Sequence, residues 1–304
     1  MPVFAAAACL PQPQAGIRRQ SITSTTAVRF QFNSSPFPIQ HHCRHHRRRR
    51  TAAPATAPRA MLLEHLPALE GKRIVLASAS PRRRELLSQM GLKFEVVVSS
   101  FEETLPKEQY SAADYARMTA THKALDVAQL VVQQAAAAPA AAPAAGAAGA
   151  QQQPQQPQQQ QQQPGMPVLV IGADTVVEYG EHILEKPADA EEAGRVLRML
   201  SGRRHHVHTG VALVMPAADG EAEPHVHSFA VTTTVEFDEL SSEAIQAYIA
   251  SGEPFDKAGS YGIQGLAGSF VRGIEGCFFN VVGFPVHRFG VELAQLIQGG
   301  QLRL

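Results

Sequence analysis

Three arginines in a row, Arg82, Arg83 and Arg84, follow Ser78-Ala79-Ser80-Pro81 and lead into Glu85-Leu86-Leu87. Ser80 and Pro81 suit the N-cap and first position of a helix. A helix N-terminus already carries partial positive charge, so stacked guanidinium groups there are unfavourable unless an anion sits among them. Free backbone N–H groups, hydroxyls and Arg forks together suit phosphate oxygens. Elsewhere stand Lys123, Lys186 and Lys257, and the carboxylates Glu103 and Asp174. The cations could cradle a polyphosphate, and the carboxylates could hold a divalent metal and a water, which is what phosphoryl-transfer chemistry needs. Each residue taken singly has a plainer reading: surface lysines are usually solvated, and an Asp at a strand end is often a cap or turn residue.

Other chemistries find less support. There is no G-x-x-x-x-G-K-[ST], no G-x-G-x-x-G after a strand and no G-x-S-x-G elbow. His206, His208, His225 and His227 pair at two-residue spacing, but no Cys or carboxylate completes a recognisable zinc set. They read as strand histidines.

The elements that must position these residues alternate in type. Ile74 to Ala77 reads as a buried strand, Leu86, Leu87 and Met90 as one apolar helix face stopped by Gly91, and Phe94 to Ser100 as a second strand. Ser111 to Asp114 resembles a capping box opening a long helix with Tyr115, Met118, Leu125 and Val132 in register. Val168 to Gly172 is an apolar run that delivers Ala173-Asp174-Thr175 at its carboxyl end, where α/β sheets bind ligands. A hairpin over Val176 to Lys186, a helix capped by Asp189, two alternating strands (His205 to Met215 and His225 to Phe237), a helix from Ser241, a strand over Cys277 to Val282 and a helix from near Pro285 complete the pattern. The glycine-rich stretch Gly259 to Gly265 allows close backbone approach to a ligand or is a plain loop.

Lys+Arg 27 balances Asp+Glu 27, so net charge suggests no nucleic-acid or membrane partner. The balance hides an asymmetry, because residues 1–63 contain no Asp or Glu and are rich in Arg, Ser and Ala. That is transit-peptide composition, and it predicts an organellar protein (chloroplast or mitochondrion); Met61 is an alternative start that would leave a cytosolic form. Residues 135–164 are Ala, Pro, Gly and Gln without charge, which predicts a disordered insertion inside one domain over 72–300. No apolar run is long enough to span a bilayer. Of Cys9, Cys43 and Cys277, one lies in the folded part, so no intradomain disulfide is possible there.

The motifs Leu76 to Leu87, Glu102-Glu103, Gly172 to Val176, Glu185-Lys186-Pro187, Leu200 to Arg203 and Asp256 to Gly265 occur in the order found in the Maf family of nucleoside triphosphate pyrophosphatases, which this chain resembles over roughly Lys72 to Gln298. The resemblance implies an α/β fold with an extended mixed sheet, flanking helices and a cleft between two lobes. It implies hydrolysis of a nucleoside triphosphate to the monophosphate and pyrophosphate with Mg2+ or Mn2+, in a homodimer. Asp174 would be the proton acceptor, Glu103 and Asp174 would face the metal, and Ser78, Arg83, Lys123 and Lys186 would line the phosphate site. Family members resembling dTTP/UTP pyrophosphatases carry Arg, Thr and Gln at three specificity positions, and here these are Arg82, Thr175 and Gln264; the 7-methyl-GTP group differs there. A nucleotide-sensing regulator of cell division is the non-catalytic alternative the family suggests.

Overall fold

The computed structural model describes residues 61–137, 165–217 and 223–304. Residues 1–60 and most of the Ala/Pro/Gln tract, on which the transit-peptide and insertion expectations fall, lie outside the described residues. The strands are β1 (Ile74–Ala77), β2 (Glu95–Val96), β3 (Leu169–Tyr179), β4 (His182–Leu184), β5 (Arg204–Met215), β6 (His225–Phe237) and β7 (Val271–Glu275). The helices are α1 (Leu66–Leu69), α2 (Pro81–Gln89), α3 (Ala112–Ala137), α4 (Ala190–Leu200), α5 (Ser242–Ala250), α6 (Phe278–Val282) and α7 (Val286–Gln298).

The strands form one mixed sheet in the order β2-β1-β3-β5-β6-β7, with β4 added to the far end of β3. β1 runs parallel to β2 and β3, and the remaining pairs are antiparallel. This is the mixed α/β architecture expected from the sequence.

One face of the sheet carries two separate apolar cores. Leu169, Ile171 and Ala173 of β3, with Val211 and Leu213 of β5, pack under α2 and α7. Val177, Val207, Val235 and Phe237 pack under α4 and α5. Strand periodicity puts Thr175, Thr209 and Thr233 on the same face, between the two groups. A row of threonines therefore divides the lobes, and the cleft opens over it.

On the opposite face α3 lies unusually close. A Cβ at Gly172 would overlap the carbonyl oxygen of Ala120, and one at Gly210 would overlap the backbone of Ala116. The buried side of α3 is accordingly small: Ala112, Ala116, Thr119, Ala120, Ala124 and Ala128, with Tyr115, Val127 and Val131. The larger apolar residues Met118, Leu125 and Val132 expected there are only half-buried. The sequence pattern points to side-chain size, whereas the glycines on the strands select for its absence.

Several boundaries differ from expectation. β3 does not stop at Gly172 but runs to Tyr179, because β5 pairs with it from Val170 through Glu178. β2 is two residues long; beyond it Ser99 and Ser100 turn away to hydrogen-bond Asp126. Residues 278–282 form a helix instead of a strand, since five residues are too few to separate the two periods. α3 continues to Ala137, into the first residues of the Ala/Pro/Gln tract. Upstream of Lys72, Leu62 and Leu69 are buried in the α2–α7 core, so ordered packing reaches into the last residues of the acid-free segment.

The capping expectations hold at three helices. Asp189 accepts the amide of Glu192 at 2.8 Å, Ser241 that of Ala244 at 3.1 Å and Ser111 that of Asp114 at 3.1 Å. Ser80 occupies the N-cap of α2 without a side-chain capping bond.

Candidate active site

β1 pairs with β3 as far as Ala77 opposite Gly172, and β4 pairs with it only from Val177, which lies opposite the last β4 residue, Leu184. Between these points the edge of β3 is open, and Asp174 and Thr175 stand on it. Asp174 therefore lies inside a strand, beside the end of β1, and not at the end of its own strand. A cleft of about 620 Å³ occupies the gap. Ser78, Arg82, Arg83, Glu103, Lys123, Asp174, Thr175, Lys186, Lys257 and Gln264 all line it, so the candidate residues converge on one cavity.

Strand alternation sends Asp174 and Thr175 to opposite faces. Asp174 shares the α3 face with Gly172, and the close approach of α3 brings Lys123 to it. Lys123 Nζ donates to Asp174 Oδ1 at 2.8 Å and to Glu103 Oε1 at 2.6 Å. Asp174 is buried, and its second oxygen, Oδ2, has no hydrogen-bond partner. Burial pushes the Asp174 carboxyl up, and the Glu103 charge adds to this, against the opposing charges of Lys123 and Arg83. Burial also raises Glu103, but its bond to Lys123 and the charges of Lys123, Lys186 and Arg83 win, holding it below the usual range. The two carboxylates thus have pKa values pushed apart, the arrangement that separates a base from a permanently charged group. On sequence alone Asp174 reads as a weak base that chiefly orients water; burial shifts its carboxyl toward stronger proton affinity in the absence of a cation.

Thr175 belongs to the other face. Arg83 Nη2 donates to Thr175 Oγ1 at 3.0 Å, Nη1 to Ser78 Oγ at 3.1 Å and Nε to the carbonyl of Gly283 at 2.9 Å. Burial lowers the Arg83 pKa, with Arg82 acting in the same direction and Asp174 and Glu103 opposing; an Arg side chain nevertheless keeps its charge. Three neutral acceptors hold the guanidinium, leaving its charge for an anion in the cleft.

Arg82 and Lys257 meet on Asp256. Arg82 Nη1 donates to Asp256 Oδ2 at 3.0 Å, and Lys257 Nζ to Asp256 Oδ1 at 2.6 Å. Both cations expected to meet phosphate or base are thus held by one carboxylate, which reaches Arg82 across the cleft and is the sequence neighbour of Lys257. Lys186 makes no ion pair with any described residue. The residue before it is fixed: Glu185 accepts from Tyr115 at 2.8 Å and from Lys107 at 2.6 Å.

Two of the four strand histidines have hydrogen-bond partners that read as structural. His208 bonds Thr232 at 2.9 Å and Glu178 at 3.0 Å, and His227 bonds Glu292 at 2.7 Å.

Sequence reasoning missed Asp256 as a bridge, and it missed Thr209, Thr233 and Asn280, which are buried beneath the cleft. Asn280 Nδ2 donates to Val207 O and Thr233 Oγ1, both at 3.0 Å. The available signal was a Thr interrupting an apolar alternation in three strands, but the register that aligns them is not written in any one strand.

A family profile described as "Maf-like protein" matches residues 73–296. The chain is 42% identical over 222 residues to the dTTP/UTP pyrophosphatase of Alkaliphilus oremlandii, covering 73% of this chain and 95% of that one. It is 42% identical to the dTTP/UTP pyrophosphatase of Vibrio cholerae, covering 71% and 93% respectively. A human protein named "Probable bifunctional dTTP/UTP pyrophosphatase/methyltransferase protein" is 45% identical over 227 residues, which are 74% of this chain but 32% of that protein, so the chain spans about a third of its length. With the profile running from the strand before the arginine cluster to the last helix, over nearly all of the described fold, the chain belongs to the Maf-like protein family.

Proposed function

We propose that this protein hydrolyses pyrimidine nucleoside triphosphates, dTTP and UTP, to the monophosphate and pyrophosphate. The observation that carries the reading is the buried Asp174 carboxylate with one oxygen unpartnered, facing a cleft lined by Arg82, Arg83, Lys123, Lys186 and Lys257. The names of the relatives covered over nine-tenths of their length support the substrate class.

The residues present fit a hard divalent cation. Asp174 Oδ2 is an orphaned buried acceptor, and Glu103 reaches the same lysine. Among the described residues no group of three or more His, Cys, Asp or Glu is placed to hold a metal. Mg2+ binds habitually through one or two carboxylates plus substrate phosphates, keeping several waters. Glu103 and Asp174 would hold it, and it would neutralise charge on the triphosphate oxygens.

The chain's own residues supply the rest. Arg83, fixed by Ser78, Thr175 and Gly283, presents charge to the phosphates, and Lys186 adds a second cation. Asp174 orients a water and takes its proton as the water oxygen bonds to phosphorus. The bridging P–O bond of the α–β anhydride breaks, and its electron pair leaves with the pyrophosphate. Lys123 keeps Asp174 and Glu103 together between turnovers.

The acid-free N-terminal segment directs the chain to an organelle in this reading, and the functional unit is a homodimer. The central test is pyrophosphate release measured across UTP, dTTP, CTP, GTP and 7-methyl-GTP with Mg2+ and Mn2+. Release fastest with UTP and dTTP supports the reading, and no release from any triphosphate overturns it.

A further inference from the structure

The loop that carries Gln264 is fastened at both ends by one pair of side chains. Tyr248, buried on α5, donates its hydroxyl proton to Glu253 Oε1 at 3.0 Å and accepts the amide of Gly262 at 3.2 Å. Glu253 Oε2 accepts the amide of Leu266 at 3.0 Å. Gln264 stands midway between the two fastened amides, and a bond from the Gly265 amide to the Gly262 carbonyl (3.1 Å) closes the turn around it. The glycines make the fit possible. A Cβ on Gly265 would overlap the Glu253 carboxylate, and one on Gly262 would come within 2.5 Å of Lys257 Cε. Glu253 borders the cleft, but both its oxygens are engaged by the protein.

We infer that Tyr248 and Glu253 are positioning residues that set base selectivity by holding Gln264 in place. The inference rests on the proposed pyrimidine triphosphate hydrolysis and on Gln264, a specificity position by the family resemblance, reading the base edge. A side-chain amide discriminates between base edges only if its donor and acceptor are held in position; otherwise it turns to suit either edge. Releasing either end of the loop adds an ordering cost when the favoured base binds, and this cost appears in KM. The side-chain hydrogen bonds of this pair go to the Gln264 loop and to each other, and none goes to a described residue of α2, α3 or β3.

The experiment uses the full chain and four variants. Tyr248→Phe removes one oxygen and keeps the ring packed edge-on to Phe270. Glu253→Ala removes both acceptors. Gly265→Ala puts a Cβ onto the Glu253 carboxylate and so disturbs the fastening from the loop side. Two quantities are read: amide hydrogen exchange over residues 262–266 without nucleotide, and kcat and KM separately for UTP and GTP. Loss of one hydrogen bond is expected to raise exchange at the released amide roughly tenfold and to shrink the UTP-over-GTP ratio of kcat/KM by roughly 5- to 20-fold. The change is expected in KM for UTP, with Glu253→Gln retaining more selectivity than Glu253→Ala because one acceptor survives. Folded variants with unchanged exchange at 262–266 overturn the inference. So does an equal fall in kcat for both nucleotides with the ratio intact, the signature of a merely structural role. A wild-type enzyme with no base preference overturns the reading of Gln264, and with it the selectivity claim; the exchange data would then still decide whether the pair holds the loop.

Discussion

The hydroxyls of Thr175 and Thr209 lie 3.0 Å apart, and the direction of the proton between them is fixed. Thr209 is fully buried and donates its single proton to the carbonyl of Asn280 at 3.0 Å. Thr175 must therefore donate to Thr209, while accepting from Arg83. Its remaining capacity is one lone pair. Thr175, a specificity position by the family resemblance, thus holds Arg83, and toward a base it can only accept.

Thr175→Val keeps the shape and removes this acceptor, leaving a half-buried guanidinium N–H unpaired. A hydrogen bond to a charged group contributes about 1.5–3 kcal/mol, so the variant is expected to bind triphosphate about 10- to 100-fold more weakly. Thr175→Ser should retain most of the affinity. Isothermal titration with a non-hydrolysable triphosphate analogue checks this, and near wild-type affinity in the valine variant would refute the role given to Thr175.

Asp174→Asn is expected to lower turnover at least ~10²-fold by removing the proton acceptor, with nucleotide binding preserved. The same substitution should not cost stability at neutral pH. The folded-state pKa of Asp174 is raised by burial, so the native state binds the proton more tightly than the unfolded chain. Stability from this group is complete below its unfolded pKa and is lost as pH rises through the folded value. Above that window the buried charge opposes folding, and an amide of the same size relieves it. Tm compared between wild type and variant should show a gap in favour of the Asp174→Asn protein that grows with pH from the ordinary Asp value upward and then levels. A gap independent of pH, or one of the opposite sign, would contradict the assignment.

The sequence displays the chemistry of the cleft more plainly than its geometry. Arg82 and Arg83 at a helix start and the caps Ser111, Asp189 and Ser241 are local signals, and each sits where local reasoning puts it; the lone Asp174 after a buried apolar run is also a local signal, but it lies inside its strand and not at the end. What local reasoning misplaces depends on distant partners. β3 continues past Asp174 because β5, some thirty residues later, supplies hydrogen bonds along its whole length. The alanine face of α3 follows from Gly172 and Gly210 on two strands, which set the distance at which Lys123 meets Asp174. Asp256 reads as a motif residue, yet its engagement with Arg82 spans 174 positions of chain. The threonine row is visible only when three strands are laid in register.

Base choice is the property of the cleft most open to a decisive change. Gln264 lines it at the middle of a loop fixed at both ends. An amide offers one acceptor and two donors, which suits the O4, N3–H and O2 edge of uracil or thymine. An ionised carboxylate only accepts, and suits a base edge rich in N–H, as in guanine. In a desolvated pocket a mismatched edge leaves polar groups unpaired, at about 1–3 kcal/mol each. Gln264→Glu is therefore expected to lower kcat/KM for UTP and dTTP by roughly 5- to 150-fold while changing that for GTP and 7-methyl-GTP less, or raising it. Since Asp174, Lys123 and Arg83 are untouched, kcat at saturation should move less than KM. The five nucleotides are compared on matched preparations of both proteins. A variant that keeps the wild-type ranking would show that Gln264 does not read the base, whatever the cleft hydrolyses.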